Sequence, residues 1–147
     1  MFFNSEYKGG DGVWRNTAFN GNYVFNALAG REYRLKKGGI LTFSLKVTDA
    51  GGKRYTPVDI IRSAQEGKTV YVEARTNELK YKDYFRTDIR IGFKKNGKKI
   101  TQEWALDIQN VFNTQNILTQ QYNLRTGKVE KQYQIGIFPV PLYRIYF

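Results

Sequence analysis

Hydrophobic and polar side chains alternate with a period of two along much of the chain, and helical periodicity is weak. The clearest stretch runs from Tyr84 to Lys95. Such alternation is typical of a strand with one apolar and one polar face. The odd positions hold Phe85, Thr87, Ile89, Ile91 and Phe93, and the even positions hold Arg86, Asp88, Arg90, Gly92 and Lys94.

The dipeptide Asn96-Gly97 follows this stretch and predicts a two-residue hairpin turn. The alternation then resumes with Trp104, Leu106 and Ile108 on the apolar face. A two-residue turn places Lys95 opposite Lys98, and the register that follows sets opposite charges against each other, which is favourable in a sheet. The two predicted cross-strand ion pairs are Arg90–Glu103 and Arg86–Asp107.

Three further segments show the same pattern. The segment from Ile40 to Thr48 alternates cleanly. The segment from Asn22 to Leu35 is less regular, because Arg31 falls on its otherwise apolar face; a bulge near Gly30 is compatible with this, and the pattern does not fix the register. The last strand covers residues 138–147, where Pro139 and Pro141 fit the start of a strand or a sheet edge.

The connections between these five strands alternate in length. Short turns are predicted at 36–39 and 96–97, and long loops at about 49–83 and 111–137. In an up-and-down antiparallel sheet, this arrangement puts every tight turn at one end. Outer-membrane β-barrels have short periplasmic turns, long external loops, a lipid-facing apolar band and aromatic girdles. The pattern therefore predicts an all-β fold, with strands that form part of a transmembrane barrel.

The chain of 147 residues carries 24 Lys plus Arg against 13 Asp plus Glu, a formal net charge of +11, and 16% of it is aromatic. Such a balance also fits a soluble basic β-protein that binds nucleic acid or acidic polymers, which is the alternative function. That alternative predicts clustered basic residues. Here the charges are scattered, with small knots beside turn residues, so we expect no nucleic-acid partner.

The chain has no Cys and no His. This composition excludes disulfides, zinc sites built on these residues, and His-dependent triads. We therefore expect no catalytic residue, metal or cofactor, and no enzymatic activity. The first residues lack the pattern of a signal peptide, so either the protein stays in the cytosol or Met1 is not the natural start.

A soluble antiparallel sandwich or half-barrel would also show one apolar face per strand. Two observations favour the membrane barrel. The opposite faces carry paired charges and small polar groups suited to a wet lumen. The mean hydropathy of -0.57 also leaves few apolar residues beyond one sheet face.

Several segments, in this order and spacing, resemble the C-terminal end of TonB-dependent outer-membrane receptors. The similarity covers residues from about 22 to 147. The segments are Gly51-Gly52-Lys53-Arg54-Tyr55-Thr56-Pro57-Val58-Asp59, Asp83-Tyr84-Phe85-Arg86-Thr87-Asp88-Ile89-Arg90-Ile91, Ala105-Leu106-Asp107-Ile108-Gln109-Asn110-Val111-Phe112-Asn113, Gln121-Tyr122-Asn123-Leu124-Arg125-Thr126-Gly127 and the ending Pro139 to Phe147.

The resemblance implies a multi-pass β-strand protein of the Gram-negative outer membrane. In such a receptor, a plugged barrel of about 22 strands imports a ligand with energy from the TonB machinery. The implied partners are the rest of the barrel, the plug, outer-membrane lipid, the barrel-assembly machinery and, through the missing part, TonB. Tyr143, Ile145 and Phe147 would form the assembly signal. Arg90, Glu103, Arg86 and Asp107 would face the lumen.

The chain departs from whole receptors in its length. It has no plug and no TonB-contacting segment, and five strands cannot close a barrel, since the smallest membrane barrels use about eight. We therefore expect residues 1–147 to be the C-terminal portion of a receptor barrel, as a fragment, a truncated gene product or a subunit of a split receptor. The sequence does not reveal the ligand.

Overall fold

A computed structural model describes residues 1–36 and 38–147. The fold is all-β with antiparallel sheets, as the alternation predicts. The strands are β1 (Glu6–Lys8), β2 (Trp14–Asn16), β3 (Val24–Arg34), β4 (Gly39–Ala50), β5 (Arg54–Tyr55), β6 (Leu79–Lys80), β7 (Tyr84–Asn96), β8 (Thr101–Gln109), β9 (Ile117–Asn123), β10 (Lys128–Tyr133) and β11 (Phe138–Tyr146). One α-helix, α1 (Ile60–Glu66), and one 3₁₀ turn (Glu73–Arg75) complete the secondary structure.

The chain divides into two compact units, and the five longest strands dominate one of them. This unit, the sheet unit, consists of residues 25–48, 85–114 and 135–147. Its sheet has the order β11-β8-β7-β4-β3, so each strand lies beside its neighbour in the predicted five-strand series. Among the described residues, no strand pairs with the outer edge of β3 or β11. The sheet is therefore open.

The β7–β8 hairpin forms, but its predicted register is wrong. Asn96 pairs with Thr101, so the turn comprises the four residues 97–100. Gly97 has no positive φ, which a two-residue turn at Asn96-Gly97 would need, and its N–H donates to Ile100 O at 2.9 Å.

Side-chain pairing accounts for the register that forms. The two-residue turn would set polar Gln102 against Ile91. In the observed register, Ile91 faces Leu106 and Gln102 faces Lys95. Cross-strand packing thus outweighs the local turn preference. Each residue keeps its face because the slip is an even number of residues.

The structure fixes the register of β3, which the sequence left open. Leu35 N donates to Gly39 O at 2.7 Å, and Thr48 Oγ1 donates to Asn26 Oδ1 at 2.9 Å. A Cβ on Gly30 would lie 3.1 Å from Ser44 Oγ. All three contacts fit one unshifted antiparallel register, so no bulge forms near Gly30. The turn predicted at 36–39 follows β3, and its residue Lys37 lies outside the described residues.

The second unit, the loop unit, consists of residues 1–24, 49–84 and 115–134. The two ranges predicted as long loops contain regular structure, with β5, α1, the 3₁₀ turn and β6 in the first range, and β9 and β10 in the second. Asp59 caps α1 by accepting from Arg62 N, and Gly67 ends the helix in the left-handed region at φ 65°. Strands β9 and β10 form an antiparallel hairpin.

Buried apolar side chains are nearly absent. Among the described residues, Ala105 is the only apolar one that is buried, with 8% of its surface exposed. The most buried side chains are the polar Asn20 and Ser63. A chain of this length ordinarily buries a substantial apolar core. The described residues instead form one five-stranded sheet, three two-stranded sheets and hydrogen-bonded loops.

Candidate functional site

One face of the five-stranded sheet carries large apolar side chains that remain exposed. We call it the apolar face. Strand parity and cross-strand pairing place the side chains of alternate residues here. Thr87 on this face is buried, but several large apolar side chains retain roughly two fifths of their surface or more. They include Phe43 40%, Leu45 42%, Phe85 37%, Ile91 40%, Trp104 39%, Leu106 39%, Tyr143 53% and Ile145 41%. Monomeric soluble proteins seldom expose a continuous apolar surface of this kind.

A row of aromatic rings crosses the apolar face near its short-turn end. Phe93 stacks on Trp104 with ring centroids 5.8 Å apart, and Trp104 lies 5.5 Å from Tyr143. Gly39 makes room for this row, because a Cβ there would lie 2.8 Å from the Phe93 ring. The row therefore extends from β11 across β8 and β7 towards β4.

The opposite face of the sheet is charged, and Arg90 lies at its centre. Its Nη1 is 3.2 Å from Asp107 Oδ2, and its Nη2 is 3.1 Å from Glu103 Oε1. The predicted Arg90–Glu103 pair therefore exists, although Asp107 is the residue directly opposite Arg90. One guanidinium thus joins two carboxylates on the neighbouring strand.

Glu103 also joins β8 to both of its neighbouring strands. It lies opposite Lys94 on β7 and Arg144 on β11. The Tyr146 hydroxyl donates to Glu103 Oε2 at 2.6 Å, and Lys94 Nζ lies 5.1 Å from the centre of the Tyr146 ring. This arrangement gives the charged face a contact network across three strands.

The predicted pairing of Arg86 with Asp107 across the hairpin is corrected by the register. Arg86 Nε is instead 2.6 Å from Asp88 Oδ1 on the same strand. Asp88 Oδ1 also accepts the N–H of Asn110 at 2.9 Å, where β8 has ended. Asn110 adopts φ 52° and accepts from Thr114 N, so it turns the chain out of the sheet.

The three residues proposed as an assembly signal do not share one environment. Tyr143 pairs with Trp104 and Ile145 pairs with Gln102, and both lie on the apolar face. Phe147 follows the end of β11 and is 99% exposed. The assembly role itself stays a prediction.

The loop unit contains a pocket of about 350 Å³ beside a stacked tyrosine pair. The rings of Tyr55 and Tyr81 lie 4.1 Å apart at an angle of 10°. Lys53 Nζ sits 5.1 Å from the centre of the Phe19 ring, and both residues line the same pocket. The walls thus combine aromatic surface with two cations, Lys53 and Arg54, and one carboxylate, Glu73.

A hydrogen-bonded cluster centred on Asp83 ties the loop unit together. Asp83 Oδ1 accepts the N–H of Gly52 at 2.9 Å, and its Oδ2 lies 3.0 Å from the Tyr23 hydroxyl, which is also 3.3 Å from Asp49 Oδ1. The Gly52 N–H bond is the main cause that lowers the pKa of Asp83. Desolvation, followed by the nearby Asp83 carboxylate, raises the pKa of Tyr23 to about 12.

The sequence analysis did not predict two features of the loop unit. The Tyr55–Tyr81 stack joins residues far apart in the chain, and only the aromatic content of the segment hinted at it. The buried Asn20 side chain donates to Asn4 and Asn16, both at 2.7 Å, and no alternation or spacing signals this carboxamide cluster. Both features depend on tertiary contacts.

Comparison with known proteins gives no match: no protein-family model, no curated protein and no solved structure matches this chain. Across residues 1–36 and 38–147, no helix is long and apolar enough to cross a membrane. The same residues contain no cluster of three or more carboxylate side chains able to hold a metal ion.

Proposed function

We propose that this chain is a membrane-embedded part of an outer-membrane receptor of the TonB-dependent kind. In this proposal the five strands of the sheet unit contribute to the wall of a barrel that imports a ligand. The observation that carries the proposal is the exposed apolar face of the sheet, which lies opposite a charged face. In the part of the chain that the structure describes, apolar side chains are almost never buried.

The lengths of the strands support a membrane role. The five strands have 11, 12, 13, 9 and 9 residues, and a tilted membrane-spanning strand needs about 9 to 11. The apolar positions of β7 run from Phe85 to Phe93. At roughly 3.3 Å per residue, this stretch is about 26 Å long. Because membrane strands tilt by about 40°, it spans about 20 Å along the membrane normal, most of the apolar band of about 25 Å of an outer-membrane barrel.

The charged face supports a wet lumen. The Arg90 network brings together half-buried charges that hydrocarbon would not tolerate. Within residues 1–36 and 38–147, no strand pairs with the outer edges of β3 and β11. This agrees with a sheet that needs further strands for closure, because an open edge is not stable in lipid. Those strands, the plug and the TonB-contacting segment would come from the remainder of the receptor.

The chain contains two tryptophans, which makes the apolar face directly testable. Trp104 lies on that face, whereas Trp14 belongs to the loop unit. A Trp14→Phe variant leaves Trp104 as the only fluorophore, and a Trp104→Phe variant leaves Trp14. Each variant is folded in a neutral detergent and in its brominated analogue, because bromine quenches an indole it contacts.

We expect strong quenching of Trp104 and weak quenching of Trp14. A chain that stays monodisperse without detergent, with Trp104 unaffected by the brominated detergent, would refute the membrane proposal. Salt-sensitive binding of an oligonucleotide under those conditions would favour the soluble basic β-protein instead.

A further inference from the structure

The short-turn end of the sheet concentrates positive charge beside the aromatic row. Lys95 lies on the apolar face, two residues after Phe93 in β7, and faces Gln102. Lys98 and Lys99 lie in the exposed turn after β7. Lys36 is exposed in the turn after β3. We call these four lysines the basic rim.

The two turns at this end of the sheet contain no acidic side chain. The sequence from Lys95 to Gln102 and the turn from Leu35 to Gly39 contain no Asp or Glu. Within the part of the chain that the structure describes, none of the four rim lysines forms an ion pair. Glu103, the first acid after this turn, is on the opposite face and is bonded to Arg90 and Tyr146. Among the described residues, no direct ion pair therefore neutralises the positive charge of the rim.

We propose that the basic rim binds the phosphates of anionic phospholipid headgroups, with the Phe93–Trp104–Tyr143 row seated at the boundary between headgroups and acyl chains. Aromatic rings with a polar edge favour that boundary. Lysine ammonium groups at the end of an apolar surface extend towards the headgroups and attract anionic lipid. The rings fix the depth of the sheet, and the lysines select the charge of the lipid.

This inference rests on the proposed function, because it requires the apolar face to contact lipid. It goes beyond that function in assigning a lipid class to one edge of the sheet. A partner that carries only anionic groups would bind the lysines of the rim without contacting the aromatic row beside them. Rings and cations together fit a surface that is apolar on one side and phosphate-rich on the other.

The test uses the full chain with Trp14→Phe, folded in neutral micelles. Either phosphatidylglycerol or phosphatidylcholine, brominated near the headgroup, is titrated in. Quenching of Trp104 then reports which lipid occupies the positions beside the rim. We expect a clear preference for phosphatidylglycerol, which disappears when salt is raised from about 0.1 M to about 1 M and the screening length falls from about 10 Å to about 3 Å.

The rim variant combines Lys95→Gln, Lys98→Gln and Lys99→Gln. Its matched control carries Lys82→Gln, Lys128→Gln and Lys131→Gln, three exposed lysines of the loop unit with the same loss of charge. An anionic surface contributes roughly five-fold per lysine, so the rim variant should lose up to about 100-fold in preference while the control keeps it. Circular dichroism checks that both variants retain strand structure.

The outcomes distinguish failure of the lipid-binding rim from failure of the proposed membrane function. Quenching by both lipids without a preference, or an equal loss of preference in rim and control variants, would overturn the lipid-binding rim and leave the membrane face intact. Failure of both brominated lipids to quench Trp104 would refute the proposed function as well.

Discussion

Phe93 lies directly opposite Trp104, and their rings stack with centroids 5.8 Å apart. A two-residue turn at Asn96-Gly97 would have set Trp104 against Ile89 instead. The stacked pair therefore identifies the register of the hairpin. It also places the largest ring of the apolar face near the turn rather than at mid-strand.

Engineered cysteines should report this register, because the chain has no native Cys. Ile91→Cys with Leu106→Cys places two thiols on directly opposed residues, within reach of a disulfide. Ile91→Cys with Gln102→Cys separates them by four residues along β8, or about 13 Å. We expect rapid oxidation of the first pair only, measured by the loss of free thiol. Preferential oxidation of the second pair would instead support the register of the two-residue turn.

Arginine substitutions should separate the two faces of the sheet. Leu106→Arg puts a cation on the apolar face and should destabilise the membrane-embedded form by about 2 to 4 kcal/mol. Val140→Arg is the matched control, because Val140 lies opposite Asp107 on the charged face. We expect it to change stability little. Denaturant titration of both variants in detergent or vesicles measures the difference, and equal destabilisation would contradict the assignment of the faces.

Gly51 should be intolerant of a side chain. A Cβ there would collide with the carbonyl of Gly21, so Gly51→Ala forces the backbone apart and should cost about 1 to 3 kcal/mol. Gly10→Ala is the control, since nothing lies within 4 Å of a Cβ at Gly10. That variant should be neutral or slightly stabilising. Thermal unfolding of both variants provides the comparison, and a neutral Gly51→Ala would argue against the close approach.

Tyr23 should make the loop unit sensitive to alkali. Its pKa is raised to about 12, so the folded state holds the phenol proton more tightly than the unfolded chain does. The stabilisation is fully present below about pH 10, the ordinary tyrosine value, and is lost as the pH rises towards 12. Tyrosinate absorbance of the parent chain and of Tyr23→Phe should show a late-titrating phenol that the variant lacks, whereas Tyr81, whose pKa is also raised by burial, remains in both. Titration of every tyrosine at the ordinary value would disprove the contact with Asp83.

The sequence by itself determined the five long strands and, for four of them, which face each side chain occupies, but it did not reveal the short strands of the loop unit. The alternation from Phe85 to Phe93 is strong enough to define an apolar side without any partner, because strand geometry points successive side chains to opposite faces. The same holds for β4, β8 and β11. The order of the strands also followed, since short turns join neighbours and the long connections return to the growing edge.

Only the tertiary structure decided the register of the hairpin and the packing of the loops, because both depend on contacts between residues far apart in the chain. The turn after β7 has four residues because Ile91 packs on Leu106 and Phe93 on Trp104, and such cross-strand contacts outweigh the preference of Asn96-Gly97. The Gly21–Gly51 approach and the Tyr23–Asp83 hydrogen bond join segments whose separation in sequence carries no periodic signal. Local alternation reports the face of a residue, whereas register and loop packing are set by partners that alternation does not reveal.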